Sequence, residues 1–308
     1  MTEIISDETR KKLNSILTED EILREEPMYK HTSFRIGGPA ELFLMPKRDE
    51  LPELLKLLRI ENAQFLVLGN GSNVLVSDDG IPGIVISALN MKEIYVDHDN
   101  AVIEADAGIS LQRMATEAAM NSLTGMEFAA GIPGSLGGAV YMNAGAYGSE
   151  MKNIVTEVQY LDSDGNVCVK KAEELDLGYR HSFFSENPKT VVLGARINLF
   201  QGDKDTIMAY QTELLRKRRE KQPIEYPSAG STFKRPEGYY AGKLIQDSGL
   251  TGYRVGDAQV SLKHAGFVVN LGSATSNDVL TLIKHVQETV FEKSGVRLEP
   301  EVRILGSE

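Results

Sequence analysis

Apolar residues recur along the chain at two spacings, and each spacing predicts one kind of element. Helical spacing, together with the cap residue Ser110 and the stop at Pro223, predicts amphipathic helices. Short apolar runs bounded by Gly, Asn or Asp predict strands. The predicted helices are 7–17, 51–58, 111–120, 203–221, 241–247 and 276–293. The predicted strands are 65–68, 74–76, 84–86, 102–105, 157–161, 167–169, 191–199 and 302–305, with further strands expected between the last two helices.

The order of these elements predicts the fold class. Strands and helices follow one another without the strict alternation of a parallel sheet, so we expect an α+β fold. A chain of 308 residues is near the size at which one core divides into domains. The helix over 203–221 ends in a basic run before Pro223 and is a natural boundary. We therefore predict three parts, at 1–95, 96–205 and 206–308.

Charge and cysteine content narrow the function classes. With 33 basic and 44 acidic residues the net charge is −11, which argues against nucleic acid and against anionic membranes as partners. A small anionic ligand in a local basic pocket stays compatible with this charge. Cys168 is the single cysteine, so no intrachain disulfide forms, and the five histidines show no metal spacing. No signal-peptide pattern opens the chain, and we expect a cytoplasmic protein without a bound metal.

The first glycine-rich loop follows the strand predicted at 65–68. It superficially resembles a dinucleotide fingerprint, but Val74 stands where the third glycine belongs, and a strand follows where a nicotinamide-binding unit requires a helix. Two interpretations stay open. The loop is either a tight connection between buried strands or a cradle whose main-chain N–H groups bind a pyrophosphate. The cradle would consist of Gly69, Asn70, Gly71, Ser72 and Asn73.

The second glycine-rich loop, over 131–148, favours the cradle. Glycine at this density lets the main chain approach a flat ligand closely, at a large entropic cost when the loop is ordered. Two separate loops that both carry glycine and asparagine predict one long dinucleotide lying across both. The residues predicted to bind it here are Gly131, Pro133, Gly134, Gly137, Gly138, Asn143 and Gly145.

These loops and four further motifs, in this order, resemble the UDP-N-acetylenolpyruvoylglucosamine reductase family of flavoenzymes. The similarity runs from about residue 30 to residue 306. It implies a two-lobed FAD-binding domain of the vanillyl-alcohol oxidase type, with lobes at 1–95 and 96–205, and a substrate domain at 206–308. The further motifs are Tyr179-Arg180-x-Ser182, Ala229-Gly230-Ser231-x-Phe233-Lys234, Ala241-Gly242-Lys243-Leu244-Ile245 and Pro300-Glu301-Val302-Arg303.

The resemblance implies an activity. Members of the family reduce the enolpyruvyl double bond of UDP-N-acetylglucosamine enolpyruvate with NADPH, giving UDP-N-acetylmuramate for peptidoglycan, and the hydride leaves from flavin N5. The short sequence after Arg180 resembles the shorter of the family's two types, which lacks an inserted loop with a substrate-covering tyrosine. Flavoproteins of this fold that bind FAD covalently often use a histidine, and no histidine falls in the glycine-rich loops. We therefore predict non-covalent FAD in a monomer.

Three polar residues in the motifs suit this chemistry, which builds negative charge on the substrate carboxylate. Arg180 can bind a carboxylate with two parallel hydrogen bonds. Ser231 is the proton donor by resemblance, since a hydroxyl is acidic enough for an enolate-like carbon. Glu301 either donates a hydrogen bond to the carboxylate when protonated or orients a water or a cation when ionised. Both protonation states of Glu301 stay open.

Further residues are predicted to bind the sugar nucleotide. By resemblance these are Tyr179, Lys221, Lys234 and Lys243, with the lysines as candidates for the diphosphate. Most of the basic run over 216–219 is better explained as a complement to a helix C-terminus.

Two other function classes compete with the reductase. One is an FAD-dependent oxidase of the same fold with another substrate, and the other is a flavin- or nucleotide-binding protein without catalysis. A protein that only binds has no need of Arg180, Ser231 and Glu301 together, so these residues favour an enzyme.

Overall fold

The computed structural model describes residues 7–306, and their contacts form two interleaved compact units. Unit 1 comprises the described residues up to Arg24, then Leu42–Asn70 and Gly83–Arg216. Unit 2 comprises Glu25–Glu41, Gly71–Pro82 and the described residues from Lys217 onward. The chain therefore passes between the units several times, and one glycine-rich loop is divided between Asn70 and Gly71.

The described residues contain helices and strands in mixed order, and this confirms the predicted α+β class. The helices are α1 (Asp7–Ile16), α2 (Leu51–Ile60), α3 (Leu111–Met120), α4 (Leu136–Tyr141), α5 (Phe183–Glu186), α6 (Lys204–Lys221), α7 (Ala241–Asp247) and α8 (Ser276–Ser294). The first nine strands are β1 (Ile22–Pro27), β2 (Pro39–Leu44), β3 (Phe65–Leu68), β4 (Val74–Val76), β5 (Ile81–Ser87), β6 (Ile94–Asp97), β7 (Val102–Asp106), β8 (Leu123–Thr124) and β9 (Gly145–Ala146). The others are β10 (Ser149–Glu150), β11 (Val155–Leu161), β12 (Val167–Lys171), β13 (Val191–Asn198), β14 (Phe200–Gln201), β15 (Arg254–Val255), β16 (Ala258–Val260), β17 (Val268–Asn270) and β18 (Arg303–Leu305).

A five-stranded antiparallel sheet organises unit 1, in the order β12-β11-β13-β7-β6. Apolar residues such as Ile103, Val158 and Ile197 are fully buried, while Glu104 and Arg196 form an ion pair at 2.7 Å on a more exposed face. This alternation is typical of a sheet with one face in the core. Helices α3 and α4 contribute their buried apolar side chains to the same core.

A second sheet has the strand order β1-β2-β5-β3. Strands β3 and β5 pair in parallel, with Leu68 opposite Ser87. The glycine-rich loop at 69–73 therefore begins where β3 ends.

The core of unit 2 is separate and is built around α8. Its buried residues include Val279, Leu282 and Val286, which recur along one side of the helix. The N-terminus of α8 is capped by Thr275, whose hydroxyl accepts the Asp278 N–H, and the helix ends at Gly295 in the left-handed conformation. Strands β15-β16-β17 form an antiparallel sheet, and β18 pairs in parallel with β4.

The loop predicted over 131–148 contains a helix, which is a correction to the sequence prediction. Helix α4 begins directly after Ser135, whose hydroxyl accepts the Gly138 N–H at 3.5 Å. Two glycines in its first turn disfavour a helix. Burial of Leu136, Ala139 and Val140 outweighs that propensity, because each of them is at most 2% exposed.

None of the helices within residues 7–306 has the length and apolar content needed to cross a bilayer.

Candidate active site

The two glycine-rich segments meet in unit 1. A Cβ on Gly69 would lie 2.2 Å from Ser135 Oγ, so a side chain at this position would displace the Ser135 hydroxyl. Asn70 Nδ2 donates to the Pro133 carbonyl at 3.1 Å. The main chain after β3 therefore lies directly against the segment that begins α4.

Two of the six glycines of the second segment, Gly137 and Gly145, are required by close packing. A Cβ on Gly137 would lie 2.9 Å from Ala107 Cβ, and a Cβ on Gly145 would lie 2.7 Å from the Ser149 carbonyl oxygen. Gly131 ends a short 3-10 helix over Glu127–Gly131. Within this segment only Gly148 among the glycines has a left-handed φ, of +86°.

The rest of the first loop belongs to unit 2. Gly71 has φ +58° and packs against the carbonyl of His31, where a Cβ would approach to 2.1 Å. Asn73 Nδ2 donates to the Glu301 carbonyl at 3.1 Å, and the Arg303 N–H donates to the Asn73 carbonyl at 3.0 Å. Asn73 therefore connects this loop to the Pro-Glu-Val-Arg motif.

Arg180 lies on a tight two-residue turn of unit 1. The Gly178 N–H donates to the His181 carbonyl at 3.1 Å, and the His181 N–H donates to the Gly178 carbonyl at 3.3 Å. These bonds enclose Tyr179 and Arg180, and Arg180 has φ +56°. The Arg180 guanidinium carbon lies 5.1 Å from the centre of the Tyr179 ring, a cation–π distance. Tyr179 is exposed and Arg180 half-buried.

Acidic groups surround the histidine next to Arg180. His181 Nε2 lies 2.9 Å from Asp176 Oδ2, and His181 Nδ1 lies 3.4 Å from Glu186 Oε1. These contacts join His181 to one residue before the turn and one after it. Within residues 7–306 no group of three or more His, Cys, Asp or Glu side chains could hold a metal ion.

Ser231 and Glu301 lie on adjacent segments of unit 2. The Glu301 N–H donates to the Thr232 carbonyl at 2.8 Å, and Phe233 forms an antiparallel bridge with Pro300. On the other side, the Thr232 N–H donates to the Gly266 carbonyl at 2.9 Å. Main-chain pairing therefore brings together two of the three predicted catalytic residues, Ser231 and Glu301.

The Ser231 hydroxyl is available for chemistry. No other described residue hydrogen-bonds it, and the side chain is half-buried. Gly230 precedes it with φ +76° and has no atom within 4 Å of its Cβ position. The space beside Gly230 is therefore open.

The predicted lysines occupy different surroundings. Lys234 is ion-paired with Glu299, and its N–H donates to the Glu299 carbonyl at 2.8 Å. Lys243 is ion-paired with Asp247 one helical turn further along α7. Lys221 is exposed at the last position of α6. The two ion pairs reduce the local charge available to a diphosphate, and Lys221 lacks such a pair among the ion pairs of the described residues.

One residue near Ser231 was missed by the sequence analysis. His264 Nδ1 accepts the Gly266 N–H at 3.1 Å, and burial lowers the pKa of His264 below its usual value. A neutral ring with an acceptor nitrogen therefore supports the segment that pairs with Thr232. A lone histidine outside the motifs gives no signal for this role in the sequence.

Comparisons with known proteins define the class of this protein. The model of an FAD-binding domain matches residues 39–169. The fold resembles that of a variant of Phl p 4, described as a glucose oxidase, with a TM-score of 0.50 at 13% identity over 94% of this chain and 64% of the other. The chain is a flavoprotein with an FAD-binding domain of the vanillyl-alcohol oxidase type followed by an α+β domain.

The remaining comparisons define the family. The model of the C-terminal domain of UDP-N-acetylenolpyruvoylglucosamine reductase matches residues 222–305. The reductase of Caldanaerobacter subterraneus subsp. tengcongensis is 50% identical over 99% of each chain. The crystal structure of the reductase from Thermus caldophilus has a TM-score of 0.78 at 38% identity, covering 92% of this chain and 98% of that one. The chain belongs to the UDP-N-acetylenolpyruvoylglucosamine reductase family, an FAD-binding family of oxidoreductases, as its motifs predicted.

The residues present fit FAD. From Asn70 to Asn73 no main-chain N–H donates to another described residue. Consecutive unpaired N–H groups of this kind suit a pyrophosphate. Asn143, by contrast, is fully buried, with both ends of its amide bonded within the protein.

Proposed function

We propose that the chain reduces UDP-N-acetylglucosamine enolpyruvate to UDP-N-acetylmuramate with NADPH, as a step of peptidoglycan precursor synthesis. The observation that carries this proposal is the pairing of the Ser231 and Glu301 segments in unit 2, in a chain that belongs to the reductase family. The chemistry that FAD supplies when bound is hydride transfer from NADPH to the terminal carbon of the enolpyruvyl double bond. Residues 69–73 and 131–145 are proposed to hold FAD.

Arg180 is proposed to bind the substrate carboxylate. A guanidinium presents two parallel N–H donors to a carboxylate, and the contact strengthens as negative charge develops during reduction. The left-handed turn fixes the main chain from which this side chain extends. Tyr179, which packs near the guanidinium, is proposed to contact the same substrate.

Ser231 is proposed to give a proton to the carbon next to the carboxylate. Its hydroxyl has no hydrogen-bond partner among the described residues, so a donated proton breaks no bond within the protein. A serine is a weak acid, but the acceptor is a basic, enolate-like carbon. No shift in the serine pKa is needed for this step.

Glu301 is proposed to contact the carboxylate as charge accumulates there. Its main chain is fixed on two sides, by its N–H bond to the Thr232 carbonyl and by the Asn73 amide bound to its own carbonyl. Such a fixed main chain preorganises the side chain for transition-state binding. Lys221, Lys234 and Lys243 remain proposed ligands of the diphosphate.

NADPH and the sugar nucleotide are proposed to use one site in turn. No second nucleotide fold is evident in the sequence, so we expect ping-pong kinetics with inhibition by excess sugar nucleotide that is competitive with NADPH. FAD is proposed to be bound without a covalent link, and acid precipitation is expected to release it into the supernatant. The three functional parts at 1–95, 96–205 and 206–308, the monomeric state and the cytoplasmic location stay predictions.

The experiment that tests the proposal is an anaerobic titration of the purified flavoprotein. NADPH should bleach the flavin, and the enolpyruvyl sugar nucleotide should then restore its colour while UDP-N-acetylmuramate forms. Colour that returns only with oxygen would support the alternative, an oxidase of the same fold. The 13% identity to a glucose oxidase shows a shared fold alone.

A further inference from the structure

The conformation of Arg180 requires support from outside its own turn. Its φ of +56° is uncommon for a residue with a side chain and persists only where surrounding contacts hold it. The two main-chain bonds between Gly178 and His181 close the turn, but they do not fix its place in unit 1. Some other contact must do so.

Two fully buried polar side chains provide this contact. Asn143 Nδ2 donates to the Gly178 carbonyl at 3.0 Å, directly before the turn. Ser182 Oγ donates to the Tyr141 carbonyl at 2.6 Å, directly after it. Each bond joins the turn to the chain segment at the C-terminal end of α4, one from each side.

Asn143 and Ser182 make their remaining hydrogen bonds within the protein as well. Asn143 Oδ1 accepts the Lys152 N–H at 2.9 Å, so both ends of the amide are used within the protein. Ser182 Oγ also accepts the Ser185 N–H at 3.4 Å and caps α5. The Ser182 hydroxyl has no donor left for a ligand, and the buried Asn143 amide is bonded within the protein through both its nitrogen and its oxygen.

We infer that Asn143 and Ser182 are positioning residues for Arg180, which hold its turn in register with the glycine-rich segment 136–145. The inference rests on the proposed function, in which Arg180 binds the substrate carboxylate. It assigns the Asn143 side chain to this role in place of the cofactor contact predicted from the sequence. A bidentate contact to a carboxylate is directional, so a shift of the turn weakens it.

The test is a double-mutant cycle read out by product binding. UDP-N-acetylmuramate is titrated into the oxidised holoenzyme, and its Kd is followed by the change in flavin absorbance. Ser182→Ala should raise this Kd about tenfold, the loss expected from one buried hydrogen bond acting on a directional contact. In an Arg180→Ala background the same substitution should raise it no further, because a positioning residue acts only through Arg180.

Matched variants separate positioning from packing. Ser182→Thr keeps the hydroxyl and should restore part of the affinity. Ser185→Ala removes a hydroxyl three residues away, which bonds the Ser182 main chain and lies 3.5 Å from His181 Nδ1 but has no bond to the segment after α4, and it should change the Kd less than twofold. Asn143→Asp keeps the acceptor for the Lys152 N–H but loses the donor to Gly178, and should weaken product binding as Ser182→Ala does.

Several outcomes would overturn the inference. An unchanged Kd in Ser182→Ala would do so, as would an equal rise of the Kd in both backgrounds. Loss of FAD from both Ser182→Ala and Asn143→Asp, with FAD retained by Arg180→Ala, would place their role in the cofactor segment instead. If Arg180→Ala itself left the Kd and flavin reoxidation unchanged, the proposed function of Arg180 would fail and the inference with it.

Discussion

The Arg180 turn of unit 1 and the Ser231 segment of unit 2 are held in place by different means. Side chains anchor the turn, through the amide of Asn143 and the hydroxyl of Ser182. Main-chain bonds anchor the Ser231 segment, through Thr232 on both of its sides. Almost any residue supplies main-chain donors and acceptors. We therefore expect the Arg180 turn to be sensitive to substitutions at neighbouring positions and the Ser231 segment to tolerate them better.

The largest expected effect comes from Gly137→Val, which disturbs the segment that anchors the turn. The new Cβ would lie 2.9 Å from Ala107 Cβ, and its branches cannot be accommodated without moving α4. We expect loss of FAD, measured as the ratio of flavin to protein absorbance, in a chain whose circular dichroism shows that it is folded. Gly137→Ala adds one carbon and should retain more flavin. Full flavin content in the valine variant would contradict the placement of FAD at this segment.

Ser231→Ala gives the next largest effect and addresses unit 2. Loss of a positioned proton donor lowers kcat by roughly 10²–10⁴-fold. Thermal stability should stay unchanged, because no described residue hydrogen-bonds the hydroxyl. Ser231→Cys should recover part of the rate, since a thiol donates a proton from nearly the same place.

The neighbouring threonine is the control for Ser231. The Thr232 hydroxyl accepts the Val268 N–H at 2.9 Å, so Thr232→Val should lower the melting temperature. The kcat of this variant should fall only slightly, because the main-chain hydrogen bonds of Thr232 remain. If Thr232→Val lowered kcat as much as Ser231→Ala does, the segment would be as sensitive as the Arg180 turn, and the comparison would be wrong.

Arg180→Lys should have a smaller effect of a different kind. An ammonium cannot form the two parallel hydrogen bonds of a guanidinium, and we expect kcat/KM to fall about 10–100-fold. The change should appear in the KM for the enolpyruvyl substrate as well as in kcat, because carboxylate binding begins in the ground state. Steady-state kinetics with each substrate varied in turn measure how the effect is divided between KM and kcat. An unchanged KM for the sugar nucleotide would argue against carboxylate binding by Arg180.

The smallest expected effect is a pH dependence of stability through His264. Burial holds the pKa of His264 below its usual value of 6.5, so the folded state disfavours the charged ring. The unfolded chain therefore binds a proton more readily than the folded chain does. The neutral ring's contribution to the free energy of unfolding is fully present above pH 6.5 and is lost as the pH falls through the pKa of the folded state. A nuclear magnetic resonance titration should place this pKa below 6.5. A higher measured pKa would contradict the burial of the neutral ring.

Much of the fold could be predicted because the pattern of apolar residues was strong. Helices α3 and α8 begin and end close to their predicted limits, and for α3 the cap residue Ser110 indicated where the helix begins. Helix α4 could not be predicted, since Gly137 and Gly138 disfavour it locally and only tertiary burial stabilises it. Strands were predicted between α7 and α8, but the bounds of β15, β16 and β17 could not be, because two or three residues carry little periodicity.

The candidate site was predictable only as far as the motifs reached. Ser231 and Glu301 lie in motifs 70 positions apart, and the pairing of their segments follows from tertiary structure alone. Ser182 stands in a recognised motif, yet its bond to the Tyr141 carbonyl depends on a residue 41 positions away. The sequence therefore predicts which residue types act but gives little indication of what holds them.

Stopped-flow measurement of the two half-reactions in Ser231→Ala and in the unmodified chain tests the account most directly. Flavin reduction by NADPH needs no proton on a substrate carbon, so its rate should be nearly the same in both. Flavin reoxidation by the enolpyruvyl sugar nucleotide should be slowed roughly 10²–10⁴-fold in the variant. Equal slowing of both half-reactions would show that Ser231 supports the flavin or the structure, and would contradict its role as the proton donor.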